Sequence, residues 1–243
     1  MSNRIHIGTS GWTYDDWSGV FYPKGVSGPG RLSYYISKFD SVELNASFYR
    51  FPSKVAIGSW NRKLGKDFHM AVKGHRKITH FKRLKSCEDV LPAFMERISL
   101  LHAVRIVLWQ LPPSLKKDLS LLEAFLELLG NEQRHAIEFR HESWWHPDTV
   151  SLLSRYRVCF VSVSHPRLPG DIVPTADTLY VRFHGLGEKP YDYDYSNREL
   201  ATWAEKIRPL LNNRELYAYF NNDFRCRAVH DAMAFREMFK NTL

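Results

Sequence analysis

Cysteine is scarce. Cys87, Cys159 and Cys226 are far apart, odd in number and without a C-x-x-C pair. That excludes a disulfide framework and a cysteine-built zinc site, and suits a reducing compartment. Long apolar runs are also missing: "LHAVRIVLWQL" is broken by Arg105 and falls well short of a bilayer span. The opening "MSNRIHIGTS" holds an apolar stretch too short and interrupted for a signal peptide. A cytoplasmic protein with no membrane association is therefore expected. No linker, charge block or low-complexity tract divides the chain, so residues 1–243 read as a single domain.

The 243 residues include 44% hydrophobic and 25% charged side chains, the balance of a globular protein with a large core. The formal charge of +8 sets up a field that attracts anions, nucleic acid among them. A merely basic surface gives the same figure, so the position of the charges has to decide.

Eight short apolar runs end in polar residues: 4–8, 41–45, 68–73, 105–110, 136–140, 158–164, 179–185 and 216–222. Helix signals lie between most of them. Ser120–Glu123 and Ser196–Glu199 have capping-box spacing, Gly130 reads as a helix stop, and Ala228, Ala232, Phe235 and Phe239 share a helical face. Eight strand–helix units in about 240 residues match an α/β fold of the single (β/α)8 TIM-barrel type. A doubly wound open sheet would carry strands apolar in both phases, and these strands are apolar in one phase only. The connection "HPRLPGDIVPTAD" holds three prolines and no helical period, so helix six is expected to be missing or reduced to a turn.

Alternate residues of a strand point to opposite faces. One phase, with Leu44, Val72, Ile137, Phe139, Val181, Phe183 and Phe220, should face helices. The other should face the barrel interior and its carboxyl-end mouth. It contains Glu43 and Asn45, Lys73, Gln110, Glu138 and Arg140, Ser162, Arg182 and His184, and Tyr219 with Asn221. An internal ion-pair lattice is one use for such charges. Buried pairs rarely outperform apolar packing, and barrel enzymes keep their chemistry at this end, so a ligand site is the sharper expectation. Two acids against three bases suit an anionic ligand gripped by arginine forks. No cofactor is expected, and a divalent metal stays open because His75, His80, His141, His165 and His184 lie near strand ends.

Three loops add to the mouth. "KGHRKITHFKRLK" (73–85) is a solvated basic loop or a polyanion lip with Phe81 for base stacking. "HGLGEKPYDYDY" (184–195) offers backbone N–H groups at Gly185 and Gly187, and its tyrosines suggest an aromatic wall or a short strand. "GTSGWTYDDW" (8–17) offers Trp12 as a stacking surface, with Trp17 assigned to the core.

The segments "IGTSGWTYDDWSGVFYP", "VELNASFYRFP", "FHMAVKGHRKITH", "QLPPSL", "EFRHESWW", "YVRFHG" and "YFNND" span nearly the whole chain. Together they resemble the YecE-like family, a family of unknown function with a TIM-barrel fold. "ELNASFY" departs from that family's "ELNSTFY" while keeping Glu43, Asn45, Phe48 and Tyr49. The resemblance implies the fold and no activity.

Residue chemistry supplies the functional expectations. The first is an anion site for a small phosphorylated ligand or nucleic acid, serving binding or phosphoester hydrolysis. Arg140, Arg182 and Lys73 neutralise charge, Glu138 or His184 moves protons, and Glu43, Asn45, Gln110, Asn221, Trp12 and Gly185 complete the ligand contacts. The second is an aldolase-like lyase with Lys73 as Schiff-base nucleophile and Glu138 as proton shuttle. The third is a non-catalytic ligand-binding or scaffold protein.

Overall fold

Period-two apolar patterning and short helices separated by caps build an alternating chain. The computed structural model describes residues 4–189 and 191–240. In order these are β1 (Ile5–Thr9), α1 (Gly28–Ile36), β2 (Ser41–Leu44), α2 (Lys54–Asn61), β3 (His69–Lys73), α3 (Val90–Ser99), β4 (Val104–Gln110) and α4 (Leu119–Leu129). They continue with β5 (Arg134–Glu138), α5 (Pro147–Arg155), β6 (Cys159–Ser164), β7 (Thr178–Phe183), α6 (Asn197–Ile207), β8 (Glu215–Phe220) and α7 (Arg227–Glu237). All eight strands are parallel, in the order β1-β8-β7-β6-β5-β4-β3-β2.

This order brings β1 and β2 together at the closing seam. Gly8 is required there: a Cβ at this position would lie 2.2 Å from the Ser41 carbonyl oxygen. The buried Tyr35 hydroxyl bridges the seam, accepting from Thr9 N at 3.0 Å and donating to Ser41 O at 3.1 Å. The barrel is nearly closed, as the eight-strand reading anticipated.

Two apolar layers result. Leu44, Val72, Ile137, Phe139, Val181, Phe183 and Phe220 pack outward against the helices, as their phase predicts. Ala71, Ile106, Leu108, Ala136, Val161, Val163, Tyr180, Tyr217 and Tyr219 fill the interior. Ser162 departs from expectation. Val161 and Val163 point inward, so Ser162 points outward, and its hydroxyl accepts from Val173 N at 3.1 Å.

No helix occurs between β6 and β7, where the prolines lie. Gly130 ends α4 at φ +68°, and Ser196 with Glu199 forms the full capping box of α6. The Ser120–Glu123 box does not form. Asp118 caps α4 by accepting from Leu121 N, so the helix starts before Ser120. The tyrosines at 191–195 form no strand; Tyr195 is buried and Tyr191 exposed. Among the described residues no helix is long and apolar enough to cross a membrane, and the three cysteines are free and buried.

Candidate functional site

The carboxyl ends of the strands hold a buried ionic lattice. Glu43 leaves β2, Glu138 ends β5 and Arg182 lies on β7; all three are fully buried. Arg182 joins the acids, donating from Nη2 to Glu43 Oε1 at 2.7 Å and from Nη1 to Glu138 Oε2. Ser10 and Tyr180 donate to Glu43 at 2.7 and 2.6 Å.

Arg140 sits two residues past the end of β5, which stops at Glu138, and its Nε donates to Glu138 Oε1. His184 follows β7, with its Nε2 3.1 Å from the same oxygen and its Nδ1 3.1 Å from Asn221 Nδ2. A proton on Nε2 lets the ring donate to Glu138 and accept from Asn221. Arg140 Nη2 stands 3.0 Å from that Nε2.

The electrostatics follow from burial and pairing. Burial alone would raise the Glu138 carboxyl. Arg140, Arg182 and His184 outweigh it and hold the group well below the ordinary carboxylate range. Burial, then the Arg140 charge, push His184 well below its ordinary value, leaving a neutral imidazole. Burial opposes the Arg182 charge, yet Glu138 and Glu43 raise its pKa.

Lys73 differs from all of these. It ends β3 with its Nζ 4.4 Å from the Phe48 ring centroid, and among the described residues it has no hydrogen-bond acceptor. Burial, followed by repulsion from Arg182, lowers its pKa to about 7.

Beside Arg140 and His184 opens a cavity of about 560 Å³, walled by His165, Arg167, Leu186, Glu188 and Tyr191. Burial, then Arg140 and Arg167, lower His165 to about 4. A larger cavity of about 1070 Å³ lies at the opposite end, among the loops that enter β5 to β8. It is a broad groove far from the lattice. Its Arg134 and Arg155 are already paired with Glu215 and Glu123.

The structure thus brings Glu43, Glu138, Arg140, Arg182, His184 and Asn221 into one bonded cluster, with Lys73 electrostatically coupled to it. Gln110 sits beside Glu138 in the strand register, with its amide donating to Leu111 O at 3.3 Å. Asn45 Nδ2 donates to Ser10 O at 3.3 Å, and its buried Oδ1 has no partner among the described residues.

Two expectations are corrected. Trp12 is only 7% exposed and packs edge-on against Trp60 at 5.7 Å, so it is core rather than a ligand platform. The Gly185 N–H is not free, because it donates to the Tyr195 hydroxyl at 2.8 Å. Its glycine is needed for φ +90° and because a Cβ would lie 2.5 Å from the Tyr193 Cβ.

Sequence reasoning passed over Arg167 as a site residue and considered His80 and His165, near the strand ends, only as possible metal ligands. Arg167 lies in the proline-rich connection, whose missing helix was the one available signal. Among the described residues, His75, His80, His141, His165 and His184 form no three-donor metal cluster. The group with that spacing is His6, His69 and Glu215, at the amino ends of the strands.

Comparison with known proteins agrees with the barrel. The chain is 28% identical to the UPF0759 protein YunF of Bacillus subtilis (strain 168), over 90% of this chain and 89% of that one. It is 30% identical to the UPF0759 protein YecE of Escherichia coli (strain K12) over 58% of this chain and 50% of that one. The crystal structure of a DUF72 family protein from Thermotoga maritima MSB8 superposes with a TM-score of 0.89 at 33% identity, covering 98% of this chain and all of that one. A DUF72 family protein from Enterococcus faecalis V583, 21% identical, shares the fold with a TM-score of 0.79 over 96% of this chain and 94% of that one. Residues 6–243 match the family described as "Protein of unknown function DUF72", and the chain belongs to that family.

Proposed function

We propose that the strand-end cup binds a phosphate-bearing ligand. One observation carries this reading: the lattice carboxylates Glu43 and Glu138 are saturated by donors from the protein, while among the described residues Lys73 has no acceptor and Arg140 and Arg167 face an open cavity. Glu188 is the acid in that cavity wall, and it is exposed at the rim. Guanidinium groups with spare N–H donors suit phosphate oxygens in a bidentate fork.

The outer lip supports the nucleic-acid version of this ligand. Arg76 lies 5.5 and 5.4 Å from the ring centroids of Tyr49 and Phe81, which are 63% and 68% exposed. Exposed rings flanked by cations are the usual platform for single-stranded bases. In phosphoester hydrolysis, Glu138 would orient Arg140 and His184 rather than accept a proton, because three donors keep it ionised. Neutral His184 is then the group able to exchange one.

Thermal melting at low salt tests the proposal, with inorganic phosphate, phosphorylated small molecules, short oligonucleotides and their uncharged analogues. A phosphate-bearing ligand at a hundred times its Kd stabilises the fold by about 2.7 kcal/mol, and added salt should weaken the effect. Equal responses to charged and uncharged analogues refute the anion site. Response to small phosphates alone removes the nucleic-acid version. Binding without turnover in every assay would leave a ligand-binding protein.

A further inference from the structure

We infer that Lys73 condenses through its ε-amine with the carbonyl group of an anion-bearing ligand held in this cup, an inference that rests on the phosphate-binding reading above. A lysine serving only as a phosphate clamp would keep its charge and hydrogen-bonded neighbours. Lys73 has neither. Both nearby carboxylates are taken, Glu43 by Ser10, Tyr180 and Arg182 and Glu138 by Arg140, Arg182 and His184. What Nζ meets instead is the face of Phe48, at 4.4 Å.

A second nitrogen base shares that ring. His80 stands edge-on to Phe48 at 4.9 Å, with its Nδ1 2.9 Å from Thr79 Oγ1. Its Nε2 has no hydrogen-bond partner among the described residues. Burial, then the neighbouring charges of Lys73 and Arg140, lower His80 to about 4, so it is neutral near pH 7. Burial and the Arg182 charge bring Lys73 to about 7, so a large share of the amine is unprotonated there. A free amine and a neutral imidazole on one apolar ring, at the carboxyl end of a barrel strand, are the parts of a carbonyl-condensing site.

The step balances without another reactant. The Nζ lone pair forms a bond to the carbonyl carbon while the C=O π pair moves to oxygen. His80 Nε2 relays the two protons of the attacking amine in turn, the first to the alkoxide to give a carbinolamine and the second to its hydroxyl as that group departs. The C–O bond breaks, water leaves, and a C=N bond to Lys73 remains. Arg140 and Arg167 hold the ligand's anionic group at the cavity.

The test uses wild-type protein with pyridoxal 5′-phosphate, and with pyridoxal, which carries the same aldehyde and no phosphate. Adducts are reduced with borohydride and mapped by peptide mass spectrometry, with and without excess inorganic phosphate. The thermal shift with phosphate alone is measured in parallel. One equivalent should map to Lys73, with labelling roughly tenfold higher for the phosphorylated aldehyde and suppressed by inorganic phosphate. Lys73→Arg, checked as folded by circular dichroism, should lose that label. His80→Gln should slow labelling roughly tenfold at unchanged final yield, and an unchanged rate removes His80 from the step. A phosphate shift with no label at Lys73, or label spread over exposed lysines, overturns the inference and leaves the phosphate site standing. Label at Lys73 that is indifferent to phosphate, without a thermal shift, overturns both.

Discussion

The two ends of the barrel carry comparable polar clusters with opposite outcomes. At the amino ends, His6 lies between Asp40 at 3.2 Å and Glu215 at 3.0 Å, His69 stacks on it with centroids 3.7 Å apart, and Arg134 pairs with Glu215. His69 also reaches the Tyr217 hydroxyl at 2.8 Å. Here the acids and bases pair with one another, although cavities open beside Arg134 and Glu215. Burial lowers His6, yet its two carboxylates raise it overall, and Glu215 falls to about 2 against the opposing effect of burial, through His6 and Arg134. At the carboxyl ends the acids are equally well paired, but among the described residues Lys73 makes no ion pair, and a cavity opens beside Arg140. Buried charge by itself therefore does not mark a site, and neither does a cavity; a charge left unpaired in the same cluster does.

Breaking the carboxyl-end lattice should have the largest effect. Arg182→Met leaves Glu43 and Glu138 buried without their shared cation, and stability measured by urea denaturation should fall by about 3–5 kcal/mol. A loss under about 1 kcal/mol would show that the lattice relaxes freely.

Lys73→Met should act in the reverse direction. The folded pKa of this lysine lies below its unfolded value, so its penalty is fully present below about pH 7 and fades as pH rises toward the ordinary lysine value. Relative to wild type, the variant should gain about 2 kcal/mol at pH 6 and progressively less by pH 10. A pH-independent difference would remove the contrast between the two ends.

Glu215→Gln probes the amino end. The folded pKa of Glu215 is depressed, so its stabilisation exists above the unfolded value and disappears as pH falls through about 2. The variant should be less stable by about 1–2 kcal/mol at neutral pH, converging with wild type as the solution is acidified. Denaturation curves at pH 7 and pH 3 decide it. The smallest change is a reference belonging to neither end: Ser196→Ala removes the α6 capping box and should lower stability by about 1 kcal/mol.

Much of this was legible because strands alternate and helices are capped locally. The run around Glu138 shows Ile137 and Phe139 outward and Glu138 inward without any tertiary knowledge. Local reasoning failed where the answer lies in distant chain. Nothing near Trp12 announces Trp60, and nothing near Gly185 announces that Tyr195 will take its N–H. Ser120 with Glu123 looked like a cap, yet Asp118 reached the helix end first. Ser162 and Ser164 alternate with Val161 and Val163 and so read as an inward polar phase, yet it is the valines that face the interior.

The sequence by itself determined eight parallel strands, the absent sixth helix and the interior phase that carries Glu43, Lys73, Glu138 and Arg182, because side-chain periodicity and proline stereochemistry act over a few residues. Only the tertiary structure decided which charges cancel. Arg182 meets Glu43 across 139 positions of chain and Glu138 across 44, and a cation is left over only once barrel closure has assigned every acid. Pairing depends on distance through space and on exclusion of water, and neither is written in any local stretch of residues.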